Sequence, residues 1–189
     1  MTPGQEAILS LHGAWRLARA DAKGLAYFND SIGGFRRSFL AAAMVAPLYG
    51  LLLLVRHQGS MAHVPWVRFT AVEVIAYVIA WLAFPVLMAA FVKTLDRDRF
   101  YVRYIVAYNW TAVLQNALYL PIAILTAADV IGVAAANVLG FAALGLVVIY
   151  VWFVARVALD IPPAHAAGVV GLDFLLSILI NAVAEGMLR

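Results

Sequence analysis

Asp173, Ser177, Asn181 and Glu185 stand at every fourth position of an otherwise apolar run, Ala166 to Leu188. Four residues turn an α-helix slightly past one full circle, so these side chains form a slowly winding polar stripe. A second polar face lies upstream: Tyr108, Thr111, Gln115 and Tyr119 share one side of a helix, with Asn109 and Asn116 directly beside it. Glu73, Asn137 and Arg156 complete the polar set inside or at the edge of apolar runs. Such residues in a bilayer either hold ions, protons or polar solutes, or hydrogen-bond one helix to another. The second role is the commoner one for amides and hydroxyls, at about 0.6 kcal/mol per contact. Carboxylates differ, because a charge at the centre of a span costs roughly 2.5–3.5 kcal/mol on insertion scales and marks a functional site by default. For Glu73 and Asp173 the functional and structural readings both stand, and Glu73 is near enough to an interface to be simply solvated.

Depth suggests how these residues group. At 1.5 Å per residue, Asp173 lies roughly 10 Å from the nearer end of its run. Asn109 has a similar depth, and Arg156 can snorkel toward the same level. An inner cluster of Asp173, Asn109 and Arg156 is therefore expected, with a second, outer cluster of Glu73, Asn137 and Asn181. Other chemistries lack their residues. The sequence has no phosphate loop, no dinucleotide fingerprint, no HExxH pair and no nucleophile elbow. It has no cysteine, which removes disulfides, thiolate metal sites and thiol nucleophiles. His57 and His63 lie together in a loop without further ligands, and Asn109-Trp110-Thr111 is a glycosylation sequon buried in a span. No enzyme and no cofactor are expected.

The elements that must position the polar residues follow from composition. Of 189 residues 66% are hydrophobic and only 12% charged, with a mean hydropathy of +0.94. A soluble domain carries about 45–50% apolar and 25% charged residues, so the excess must face lipid. Crossing ~30 Å of hydrocarbon takes about 20 apolar residues. Five segments qualify: 38–55, 69–92, 104–127, 130–155 and 166–188. The expected fold is an all-α polytopic transmembrane bundle over 38–189, preceded by a separate segment, 1–37. A four-span alternative leaves the last segment on the surface.

Ten of the 13 Lys and Arg fall on one side of this map: Arg16, Arg19, Lys23, Arg36, Arg37, Lys93, Arg97, Arg99, Arg103 and Arg156. Arg56, Arg68 and Arg189 fall on the other. The positive-inside rule then puts the N-terminus in the cytoplasm and the C-terminus outside, in a bacterial inner membrane. Their placement beside apolar runs makes the net charge of +3 and pI near 9.4 a matter of topology, with no nucleic-acid partner expected.

Ahead of the spans, Ile8, Leu11, Trp15 and Ala18 recur at helical spacing beside Arg16, Arg19 and Lys23. The pattern suits a basic amphipathic helix on the inner leaflet, or else a short helix packed on the cytoplasmic loops. No signal peptide precedes it, since the first long apolar run begins at Phe39. Asn29-Asp30-Ser31 with Gly33-Gly34 predicts a turn. Ala42, Ala46 and Gly50, and again Gly132, Ala136 and Gly140, form small-residue ridges that permit close helix approach. Pro47, Pro85 and Pro121 interrupt the first three spans.

With five closely spaced spans, Ala46-Pro47-Leu48-Tyr49 in the first and Tyr108-Asn109-Trp110 in the third, residues 35–189 resemble the Yip-domain family of small membrane proteins. The resemblance implies an all-helical five-span domain; eukaryotic members act in vesicle traffic through small GTPases. This chain lacks their long N-terminal region, and no functional residue carries over. The leading expectation is a non-enzymatic membrane scaffold or assembly factor, partnered by the lipid bilayer and by its own copies or a larger complex. The alternatives are a small transporter or channel subunit using the polar faces of spans three and five, and an accessory subunit of an energy-converting complex.

Overall fold

A computed structural model describes residues 2–189, which are helical with no β-strand among them. Seven α-helices follow in order: α1 (Pro3–Ala18), α2 (Ile32–Ser38), α3 (Leu40–Gln58), α4 (Trp66–Thr94), α5 (Tyr101–Ala127), α6 (Val133–Leu159) and α7 (Pro163–Leu188). α2 and α3 run on through Phe39, whose own backbone is helical. Counting that rod once, five helices are long and apolar enough to cross a membrane. α7 is among them, so the four-span alternative finds no support.

Most of the helices outrun the segments read from hydropathy, by three residues at the start of α4, α5 and α7 and by four at the end of α6. Hydropathy marks where lipid begins, whereas a helix continues until a capping residue stops it. Val130, expected inside the fourth span, instead lies in the turn before α6. That turn and three other helix ends share one device. Ala20, Asp96, Asp129 and Asp160 take left-handed φ values of 53–58°. The next amide then bonds back across the turn: Arg97 N to Val92 O, Val130 N to Leu125 O, Ile161 N to Arg156 O. Asp tolerates this conformation better than most residues with a Cβ.

The predicted turn at 29–34 is shorter than expected. Asn29 Oδ1 accepts from Ser31 N (3.2 Å) and Ser31 Oγ from Gly34 N (3.1 Å), so Ser31 caps α2 and both glycines lie inside the helix. Gly34 is required there, because a Cβ would stand 1.9 Å from the Asn29 carbonyl oxygen.

The five long helices form a ring in the order α3–α5–α6–α7–α4, each packed on the next. Exposed apolar side chains define a belt around it, from Leu40 to Leu54 on α3, Val67 to Leu87 on α4, Val133 to Ile149 on α6 and Phe174 to Met187 on α7. On α4 this belt is about 30 Å tall at 1.5 Å per residue, the thickness of a bilayer's hydrocarbon. Beyond it, toward the N-terminal end, the ring continues as a base whose core joins Met88, Val92, Tyr104, Ile105, Ala155 and Leu159 to Ala14, Leu17 and Phe28 of the N-terminal segment.

α1 therefore belongs to the bundle's own core. The face that docks is Ser10, Gly13, Ala14 and Leu17, not the one marked in the sequence, where Ile8 and Trp15 point outward. Small residues make the approach possible, and Cβ atoms on Gly13 or Gly24 would lie within 2.7 Å of the other's carbonyl oxygen. Tyr150 of α6 donates to Ala14 O (2.7 Å), and the buried Glu6 accepts from Arg37 (2.8 Å) and Asn29 (3.3 Å). The basic residues of the base also cap it, Arg103 donating to Ala158 O (2.8 Å) and Arg97 to Asp160 O (3.0 Å), carbonyls that α6 leaves unpaired at its end.

Two outcomes follow from this architecture. Asp129→Val is expected to destabilise the bundle by about 1–2 kcal/mol, the cost of a left-handed residue with a Cβ, while Asp129→Gly loses nothing; thermal unfolding in detergent would rank them. Second, the Arg16 side chain hydrogen-bonds Asp21, holding its carboxyl below the usual carboxylate range. A lowered folded-state value means that the contact contributes above the ordinary carboxylate range and is lost as pH falls through that lowered value. Trp15 fluorescence should report an acid transition in the wild type that Asp21→Asn lacks.

Candidate functional site

A cavity of about 990 Å³ occupies the centre of the ring, lined by all five long helices. Ligand sites run from about 300 to 1,000 Å³, so this is room for a small solute with its water. Of the polar residues singled out in the sequence, Glu73, Gln115, Asn116, Asp173, Ser177 and Asn181 line it. Glu185, Asn137 and Tyr119 line it too, so the winding stripe on α7 and the polar face of α5 look into one space. Asn109 and Arg156 are not part of it.

The cavity has a floor. Tyr108 donates its hydroxyl to Asp173 Oδ1 (2.8 Å), tying α5 to α7. Beneath that bond, Phe84 of α4 lies against Tyr108 (ring centroids 4.6 Å apart) and Tyr104 (6.2 Å), and Tyr104 against Tyr108 (6.1 Å). Tyr101 donates to Pro85 O (2.9 Å) from the same side. The aromatic triangle and the base below it close the ring at its N-terminal end. Asp173 directly precedes Phe174, the first exposed apolar residue of α7's belt, so the floor lies at the edge of the belt. From there the cavity extends past Ser177 and Asn181 to Glu185, Ser60 and Ala127 at the opposite end.

A second station stands nearer that far end. Glu73, 5% exposed, accepts from Arg56 Nη1 (2.7 Å) and from the Tyr49 hydroxyl (2.8 Å). Arg56 ends α3 and Glu73 lies seven residues into α4, so the ion pair clamps the first two spans. Sequence reasoning missed it because Arg56 had been counted as an orientation marker. The usable signal was that Arg56 and Glu73 flank one short loop, with the long arginine side chain able to cover their difference in depth. The Tyr77 hydroxyl donates to Ala42 O (2.7 Å), a further tie between α4 and α3.

Neither expected cluster assembles as drawn. In the inner one, Asp173 takes Tyr108, Asn109 donates to Ser38 Oγ on α2 (2.9 Å) and Arg156 lies over the Trp152 ring (5.5 Å). Depth alone does not assemble the three, because Tyr108 and Asn109 point about 100° apart around α5, and only one of them can face Asp173. In the outer one, Glu73 is held by Arg56 and Tyr49, while Asn137 and Asn181 line the cavity without bonding it. The amides are not helix glue either, apart from Asn109. Asn116 Nδ2 returns to Ala112 O (2.8 Å) and Asn181 Nδ2 to Ser177 O (2.9 Å), each on its own helix, and Gln115 Nε2 has no partner. Asn116 and Asn181 line the cavity, whereas Gln115 Nε2 is itself buried. Thr111 is buried and bonds Tyr108 O (2.9 Å). His57 packs on Trp66 and Phe69, and among the described residues no group of three or more His, Asp or Glu could hold a metal ion.

Comparison with known proteins adds no relative: no protein-family model, curated protein or solved structure matches the chain. The site must be read from its own geometry.

Removing one partner of a buried ion pair strands the other charge, at a cost of roughly 3–5 kcal/mol. Arg56 keeps 25% of its side chain exposed, so Arg56→Gln is expected at the lower end of that range. Arg56→Gln with Glu73→Gln should recover most of the loss, a pattern that chemical unfolding of the three variants in detergent would distinguish from simple packing damage.

Proposed function

We propose that this chain is a small membrane carrier or channel subunit that admits a polar solute to an intramembrane cavity, with Tyr108–Asp173 as the inner limit of access. One observation carries the reading. Polar side chains of α5 and α7 face an open central space, and most of their amide groups do not bond to other helices. Helices held together for their own sake would have turned those groups on one another, because an unsatisfied polar group in hydrocarbon is costly. Facing a wet cavity they cost little.

The sidedness we infer rests on charge. Ten Lys and Arg gather at the base and three at the far end, which puts the base in the cytoplasm and opens the cavity to the opposite, periplasmic side of a bacterial inner membrane. The exposed Ile8 and Trp15 of the docked α1 then sit at headgroup depth. The chain's roles in this reading are binding and passage, with no covalent step. A second reading, assembly with its own copies or within a larger complex, draws on Gly50, Gly145 and Gly171, where an added Cβ would meet nothing within 4 Å. Such notches suit a neighbouring helix. Kinship with the Yip-domain family stays a proposal on layout alone.

The absence of native cysteines gives a direct test. Single cysteines at Ser177 and Asn181 should react with a membrane-impermeant thiol reagent added on the side away from the N-terminus, while Val78→Cys on the lipid belt stays protected. Protection of all three would sink the cavity reading and leave assembly. In proteoliposomes, flux of small polar solutes through the purified chain should fall at least tenfold in Asp173→Asn with folding intact.

A further inference from the structure

Resting on the cavity reading, we infer that the solute is an organic cation, an amine or quaternary ammonium small enough to sit above the Tyr108–Asp173 floor. Charge comes first. Four charged residues line the cavity: Arg56, Glu73, Asp173 and Glu185. Arg56 is consumed by Glu73 at 2.7 Å, so its positive charge is neutralised in place. Asp173 and Glu185 join no ion pair among the described residues, and the hydrogen-bond partner of Asp173 is the neutral Tyr108 hydroxyl. Two carboxylates thus face the space without a counter-charge. A carboxylate lining an apolar-walled cavity gains most from a cation brought to it, because the low local dielectric strengthens the attraction.

The walls supply the second, independent observation. Tyr49 stacks on Tyr77 (4.7 Å) and Tyr77 meets Trp81 edge-on (6.2 Å), a row of rings along α3 and α4, all three lining the cavity. Trp81 is one helical turn from Phe84, which itself lies against Tyr108. The row therefore leads, through Phe84 and Tyr108, to the group that holds the Asp173 carboxylate. Aromatic faces carry negative potential and attract ammonium groups, and a quaternary ammonium, which cannot donate hydrogen bonds, is recognised in this way. Anions meet the opposite: two unpaired carboxylates and no free basic side chain. The amides fit as well. With the nitrogens of Asn116 and Asn181 turned to their own backbones, their oxygens are the groups left to accept.

The decisive probe pair is choline and its uncharged carbon isostere, 3,3-dimethylbutan-1-ol, titrated into the purified full chain in detergent and followed by tryptophan fluorescence and calorimetry. Choline should bind at least tenfold more tightly than the isostere, and 3,3-dimethylbutanoate should not bind. Asp173→Asn should erase most of that preference, and Trp81→Leu should weaken choline while sparing the isostere. Equal binding of choline and the alcohol overturns charge recognition while leaving the cavity reading intact. Binding of neither, with Ser177→Cys and Asn181→Cys labelling as expected, overturns the solute class alone. Binding of neither together with protected cysteines overturns both. Because the comparison of probes is made on the wild-type chain, it stands even where a variant fails to fold.

Discussion

The contact of Phe84 with Tyr108 is the point on which the rest of the bundle turns. Five helices in a ring leave a space at the centre unless two of them meet across it, and α4 meets α5 through Phe84 and Tyr108. At that level bulky side chains fill the axis. On the far side of it the polar faces of α5 and α7 line the central cavity. One aromatic contact thus marks the floor between a packed base and an open space. It also explains why Asp173 stands where it does, at the last level before the axis closes, with the Tyr108 hydroxyl as the partner available to it.

Much of the fold was legible because lipid imposes its signature on sequence. The five spans, their approximate limits and the polar faces of α5 and α7 all follow from apolar runs and 3.6-residue periodicity. What periodicity does not carry is azimuth relative to other helices. Depth groups Asp173, Asn109 and Arg156, yet depth is one coordinate of three, and the rotation of α5 hands Tyr108 to Asp173 and Asn109 to Ser38. The Glu73–Arg56 pair escaped for another reason: a basic residue at the end of a span has two competing uses, orientation and pairing, and sequence alone does not choose. For α1 the sequence leaves both a leaflet surface and a packed helix open, because much of its contact surface is Ser10, Gly13 and Ala14, which carry little hydrophobic signal but permit close approach.

The base deserves to be seen as a separate mechanical layer. Its helices extend beyond the lipid belt and are held by groups that lipid would not tolerate: arginines on the last carbonyls of α6, the Glu6–Arg37 ion pair, and the Arg16–Asp21 pair. These contacts draw on electrostatics, while the belt relies on shape and on satisfied backbone. The cavity half has ties of its own: Glu73 with Arg56 and Tyr49, Tyr77 with the Ala42 carbonyl, Arg68 with the Met187 carbonyl (2.6 Å), and two smaller apolar clusters around Phe69 and around Leu120. The largest cluster is the one in which the N-terminal segment is packed.

That packing has a consequence for how the chain is made. Ala14 and the Tyr150 that holds it are 136 positions apart, and the groove that receives α1 is built from α5 and α6. At ~5–20 residues per second, synthesis separates helix and groove by on the order of ten seconds. α1 is made well before its groove, and spends the interval with its small-residue face uncovered. The joint closes late, and the base is completed only once α6 has been made.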